Sequence, residues 1–147
     1  MKPRRPRHIV VSRRWPERYF SHLTPTQRAV REGELLRRRR TSRPHMAWTN
    51  TIVPKRRSKW TQLFHRTYPD LKMNKAAISR RTGISRSTLD TVYNRGLKAW
   101  KTGGSRPGAS AHQWATARLY KYVLVTKGKA PRAWYATKYD PDKDLRR

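Results

Sequence analysis

The chain has 147 residues, 37 of them Lys or Arg against 8 Asp or Glu, for a formal net charge of +29. That length makes one domain, or one domain with arms, and the charge opposes compaction until a polyanion neutralises it. Cys is absent, which excludes disulfide staples and thiolate zinc sites and fits a reducing compartment. The longest aliphatic run, Tyr122 to Val125, is too short to span a bilayer.

Met1 to Arg14 is basic and Pro-containing, with only Ile9, Val10 and Val11 apolar, and lacks the pattern of a signal peptide. It reads as a flexible arm in which Arg4, Arg5, Arg7, Arg13 and Arg14 contact phosphates, since Pro3 and Pro6 discourage helix. A solubilising tail is the bland alternative.

Thr24-Pro25-Thr26-Gln27 is a capping box with Pro at the first helical position, so a helix is predicted from about Pro25 to Arg39. Arg37, Arg38, Arg39 and Arg40 gather at its C-terminal end, where they suit the helix dipole and are expected to reach phosphates; Glu32 and Glu34 partly offset them. Hydrophobic residues make up only 35% of the chain, so six Trp and seven Tyr have to supply much of any core. Trp15, Tyr19, Phe20 and Leu23 are accordingly predicted to staple the start of this helix to the body.

Thr41 to Arg57 reads as a surface linker containing Pro44, Pro54 and the basic group Lys55, Arg56 and Arg57. A short helix over Ser58–Thr67 places Trp60, Leu63 and Phe64 on one side and ends at Tyr68-Pro69. His65 lies near that face as a packed or surface imidazole. The five His are scattered without the paired spacing of a metal site.

From Asn74 to Arg106 helix signals, a tight turn, apolar spacing and base-capable side chains coincide. Ile78, Ile84, Leu89, Val92, Leu97 and Trp100 are spaced so that helices over Ala76–Arg81 and Arg86–Trp100 share one apolar seam. Thr82-Gly83 separates them. Gly83 suits a left-handed turn, and Ser85 is placed to cap the second helix, which gives a helix-turn-helix layout. Arg86, Ser87, Asp90, Thr91, Asn94, Arg95 and Lys98 fall off the seam, facing solvent or a ligand; Arg80 and Arg81 add charge at the end of the first helix. A plain helical hairpin with a solvated polar face fits the same spacing.

In KTGGSRPGAS, Gly103, Gly104 and Gly108 permit backbone shapes that turn N–H groups toward an anion, and Arg106 adds charge; a simple turn is the alternative. Ser110 and Gln113 form another capping box, opening a helix whose buried side is Trp114, Ala115, Leu119, Tyr122 and Val123. In the tail, Asp140, Asp142 and Asp144 lack the Gly and distal Glu of a calcium loop and are predicted to fold back on Arg106 or Arg118.

The run Thr82 to Asn94 resembles the lac-repressor-type helix-turn-helix, in which Gly, an aliphatic residue and Ser form the turn. That resemblance implies that Arg86 and Ser87 occupy base-reading positions in a major groove and Thr91 a third, and in such motifs Asn reads adenine. Taken in order, RYFSHLTPTQR, KRRSKWTQLF, TGIS, VYNRGLKAW, GGSRPGASAHQWATARLY and DKDL resemble a small uncharacterised domain of giant and other large DNA viruses, with a shorter version in marine phages. The most specific pieces are Arg95 to Trp100 (RG-x-x-AW), Gly104 to Gly108 (GSRPG), Trp114 to Arg118 (W-A-x-A-R) and Asp142 to Leu145 (DKDL). This resemblance implies a viral protein, in the virion interior and the host nucleus or cytoplasm, and implies no activity, cofactor or catalytic residue.

The expectation is a mainly α fold in three segments: a basic arm (1–14), an Arg-rich helical segment and linker (15–72), and the helix-turn-helix with the C-terminal helix and tail (73–147). The leading function is nucleic-acid binding, with DNA favoured over RNA, in genome condensation or organisation. A structural virion protein with a basic inner face, in contact with other virion proteins, is the first alternative and a sequence-specific regulator the second. No nucleophile-base set, acid pair, phosphate loop or metal spacing points to an enzyme, a cofactor, a metal or a small-molecule substrate.

Overall fold

Helices form where the sequence supplies caps and apolar stripes. In a computed structural model, which describes residues 15–40, 57–103, 105–106 and 108–146, there are five: α1 (Pro25–Arg40), α2 (Lys59–Thr67), α3 (Lys75–Thr82), α4 (Arg86–Gly103) and α5 (Ala111–Thr126). The fold is mainly helical, and no strand occurs among the described residues. The expected arm over 1–14 and the linker up to residue 56 lie outside them.

The caps are local and follow the sequence. Thr24 and Gln27 bond reciprocally at 3.0 and 3.2 Å to open α1, and Ser110 and Gln113 do the same for α5. Ser58, Asn74 and Ser85 accept backbone N–H groups at the starts of α2, α3 and α4. Between α3 and α4, Gly83 sits at φ 75°, a left-handed conformation in which a β-carbon crowds the following carbonyl.

The main core collects Phe64 and Tyr68 at α2, Ile78 of α3, Leu89 and Val92 of α4, and Leu119 to Leu124 of α5 except the half-buried Lys121. Phe64 stacks flat on Tyr120, ring centroids 3.9 Å apart. A second cluster joins Trp15, Tyr19, Phe20 and Leu35 to Leu36 and Trp114, so the aromatic staple predicted before α1 is present, with Leu23 only half-buried. Both cores draw on residues before and after position 72.

On α4 the predicted seam is buried at Leu89, Val92 and Trp100, while Leu97 is only half-buried. Gly96 takes the place beside Ala115 where α4 and α5 come closest: a Cβ at residue 96 would stand 2.7 Å from the Ala115 Cα. Close approach at a small residue is what lets two helices mesh their ridges over this length.

The tail folds back as expected onto Arg118, which donates to Asp142 from Nε and Nη2 at 2.9 Å each. The second partner is not Arg106, which is exposed. It is Arg95, which reaches both Asp144 oxygens at 2.9 Å and Asp142 at 3.4 Å. Asp142 is 3% exposed, and Tyr122 Oη donates to the Leu145 carbonyl at 2.8 Å, so the chain end is held by charge and a hydrogen bond against α4 and α5.

Candidate nucleic-acid interface

Seven of the eight acidic residues are tied to cations within the fold. Glu17 pairs with Arg28, Glu34 with Arg31, Asp70 with Arg81, Asp90 with Lys75, Asp140 with Arg146, Asp142 with Arg118 and Arg95, and Asp144 with Arg95. Hydrogen bonding by Arg28 holds the Glu17 carboxyl below its ordinary range, and Lys75 does the same for Asp90. The eighth acid, Glu32, is half-buried on α1. Exposed cations without such a partner stand beside these pairs at the surface.

Of the predicted phosphate ligands, Arg37, Arg40, Arg57, Arg80, Arg86, Lys98 and Arg106 are exposed. Arg81 is exposed too, 3.9 Å from Asp70. Arg39 is exposed but donates twice to the Thr102 carbonyl, at 2.9 and 2.7 Å, and lies over the Trp15 ring. Arg4, Arg5, Arg7, Arg13, Arg14, Lys55 and Arg56 lie outside the described residues.

Two expected ligands are engaged within the fold instead. Arg38 is 2% exposed, stacked 3.6 Å above the Trp100 ring and donating to Ser105 Oγ at 2.8 Å. Burial and the neighbouring Arg31 push its pKa down to about 9. A side chain enclosed this way is not a surface phosphate clamp. Arg95 is committed to the tail, and hydrogen bonding to Asp144 raises its pKa.

The glycine-containing loop after α4 also differs from expectation. Gly104 lies outside the described residues, and the loop's described partners are cations: Arg39 takes the Thr102 carbonyl, and Arg31, fully buried, donates to the Ser105 carbonyl and hydroxyl. The Thr102 carbonyl at the end of α4 and the Ser105 oxygens just beyond it thus receive guanidinium groups of α1. Residues of the pieces Arg95 to Trp100, Gly104 to Gly108, Trp114 to Arg118 and Asp142 to Leu145 serve packing and polar contacts: Gly96 lies on Ala115, Ser105 accepts from Arg31 and Arg38, and Arg118 pairs with Asp142.

On the outer side of α4, Arg86, Ser87, Asn94 and Lys98 are exposed together. Their spacing of one, seven and four residues keeps them within one face of an 18-residue helix. Thr91 is half-buried and donates its hydroxyl to the Ser87 carbonyl at 2.9 Å. Exposed Arg66, Lys72, Lys127, Lys129, Arg132 and Lys138 add charge that no motif in the sequence marked. Among the described residues no group of three His, Asp or Glu is placed to hold a metal ion, and no helix is long and apolar enough to cross a membrane.

These features define a small, mainly helical and strongly basic domain. Residues 16–146 match the model of a family of unknown function, DUF5824, and the chain belongs to that family. No curated protein and no solved structure matches the chain significantly.

Proposed function

We propose that the protein binds nucleic acid, DNA in preference to RNA, through the phosphate backbone, and condenses or organises a genome. On the resemblance of its motifs, that genome belongs to a large DNA virus. The observation that carries the reading is the internal pairing of the acids: the exposed Arg40, Arg57, Arg80, Arg86, Lys98 and Arg106 form no ion pair with any described carboxylate. Such a surface attracts a polyanion by counterion release, which is steep in salt and nearly blind to base sequence. A structural virion role built on apolar subunit contacts draws less support, because Val30 and Tyr139 are the large hydrophobic side chains exposed among the described residues.

The outer face of α4 favours a second reading, groove recognition. Arg86 and Asn94 carry the donors that read guanine and adenine, and each base contact contributes about 1–3 kcal/mol on a preferred site. Titrating salt against duplex DNA, duplex RNA and heparin tests the main reading. Tight binding at low salt that collapses as salt rises, with DNA preferred, is expected. Salt-indifferent binding, or none, overturns it in favour of the structural role. Arg86→Ala with Asn94→Ala then separates the two modes: a loss confined to selected sequences supports groove reading, and an equal loss on every sequence leaves α4 as one more phosphate contact.

A further inference from the structure

Trp60, in the first turn of α2, and Trp134, in the 3-10 turn Arg132–Trp134 beyond α5, meet edge to face with ring centroids 5.2 Å apart and planes at 87°. Both indoles are half-buried. Trp60 leans on the main core, whereas Trp134 belongs to neither core cluster. A large ring held at the surface by another ring keeps apolar area within reach of solvent and of a ligand.

Cations surround this corner. The Lys59 ammonium lies 4.7 Å from the Trp134 centroid and 5.5 Å from that of Trp60, and the Lys121 ammonium lies 5.7 Å from Trp60. Neither lysine forms an ion pair with a described carboxylate. The Lys59 pKa is lowered first by burial and then by the charges of Lys138 and Arg106. That of Lys121 is lowered first by burial and then by Arg146, with Asp142 opposing. Lysines crowded beside half-buried indoles and forming no such ion pair are complementary to a nucleotide, whose base has a π-face and whose phosphate carries the opposite charge.

We infer that the Trp60–Trp134 corner is a site for an unpaired nucleotide of a single strand, the base stacking on an indole while Lys59, Lys121 and Lys138 engage the flanking phosphates. The inference rests on the nucleic-acid reading above and adds a form of substrate to it. A duplex keeps its bases stacked inside and offers this corner phosphates alone. A single strand offers both groups, so the corner distinguishes the two. On binding, the ammonium groups turn from the indole faces to phosphate oxygens and the ring faces take the base.

The test compares wild type, Trp134→Leu and Trp134→Phe, each first shown to be folded by circular dichroism, on an oligodeoxythymidine of about 12 nucleotides and on a duplex of matched length at one salt concentration. Wild type should show quenching of Trp fluorescence by the single strand. Trp134→Leu should lower single-strand affinity about tenfold, Trp134→Phe should restore most of it, and duplex affinity should not move. If Trp134→Leu does not fold, wild type decides: the single strand should quench Trp fluorescence and the duplex should not, and equal quenching by both overturns the site. Unchanged single-strand binding in the variants, or an equal fall for both ligands, overturns this site while leaving duplex binding intact. Failure of wild type to bind either ligand overturns the nucleic-acid reading itself.

Discussion

Gly96 of α4 lies against Ala115 of α5 so closely that a methyl group at position 96 would stand 2.7 Å from the Ala115 Cα and 3.0 Å from its Cβ. Helix propensity and packing therefore pull in opposite directions there. Ala is the better helix former by about 1 kcal/mol, but the neighbour to be displaced is backbone, and overpacking costs about 1–3 kcal/mol. Packing is expected to win. Gly96→Ala should lower Tm in thermal melts, whereas Gly33→Ala on α1, where nothing stands within 4 Å, should raise it.

The turn between α3 and α4 makes a different demand. A Cβ at Gly83 meets no atom within 4 Å, yet φ is 75°, so any cost is conformational. Gly83→Val should destabilise by about 1–2 kcal/mol, and Gly83→Asn by less, because Asn visits the left-handed region more readily. Chemical denaturation of the two variants ranks them. Equal stability of Val, Asn and Gly at this position would contradict the turn.

Arg38 carries a buried charge with one guanidinium nitrogen, Nη2, lacking any hydrogen-bond partner. Replacing it with an apolar side chain of similar length should therefore cost little. Arg38→Met is expected to change stability by no more than about 1–2 kcal/mol, with stabilisation the expected sign, and to leave DNA affinity where it was. Arg40→Ala, at an exposed position, should instead flatten the dependence of affinity on salt. A loss of affinity in Arg38→Met without a change in fold would return that residue to the binding surface.

The pairs Glu17–Arg28 and Lys75–Asp90 make stability depend on acid. Both carboxyls have folded-state pKa values below their ordinary ones, through hydrogen bonds to Arg28 and Lys75 respectively. The unfolded chain takes up protons first as pH falls, so this support is full above the ordinary carboxylate range of about 4 and is lost on descending through it. Both carboxyls are exposed and screened by salt, so the effect is small. In melts from about pH 7 to about pH 3, the Tm advantage of wild type over Glu17→Gln/Asp90→Asn should shrink toward zero.

Elements whose causes are local were legible in the sequence. The Thr24–Gln27 and Ser110–Gln113 boxes, the Gly83 turn and the Ser85 cap each depend on residues within a few positions, and the helices begin within a residue of where those signals stand. The end of α4 was less so: the helix continues past Trp100 to Gly103, because Lys101 and Thr102 carry no stop signal. Burial among the arginines was not legible. Arg38 is flanked by Arg37 and Arg39 of the same chemistry, and its fate is decided by Trp100 and Ser105, far along the chain. Arg95 looked like part of the outer face of α4 for the same reason, since its partners in the tail come together only in the folded chain. The corner formed by Trp60 and Trp134 likewise exists only after α2 and the segment beyond α5 have met.

The pairing of the carboxylates with cations of the same chain bears on how copies of the protein meet. With seven of its acids paired to cations of the same chain, one molecule has little uncompensated negative charge to offer the next, so neighbouring molecules should repel at low salt and, on the function proposed above, gather where a polymer of opposite sign threads between them. A chain of formal charge +29 matches the phosphates along roughly 50 Å of duplex, at one negative charge per about 1.7 Å. If the protein coats nucleic acid as proposed, the spacing of molecules on the strand should be set by the length of polymer each one neutralises, and saturation should come at the stoichiometry of charge balance.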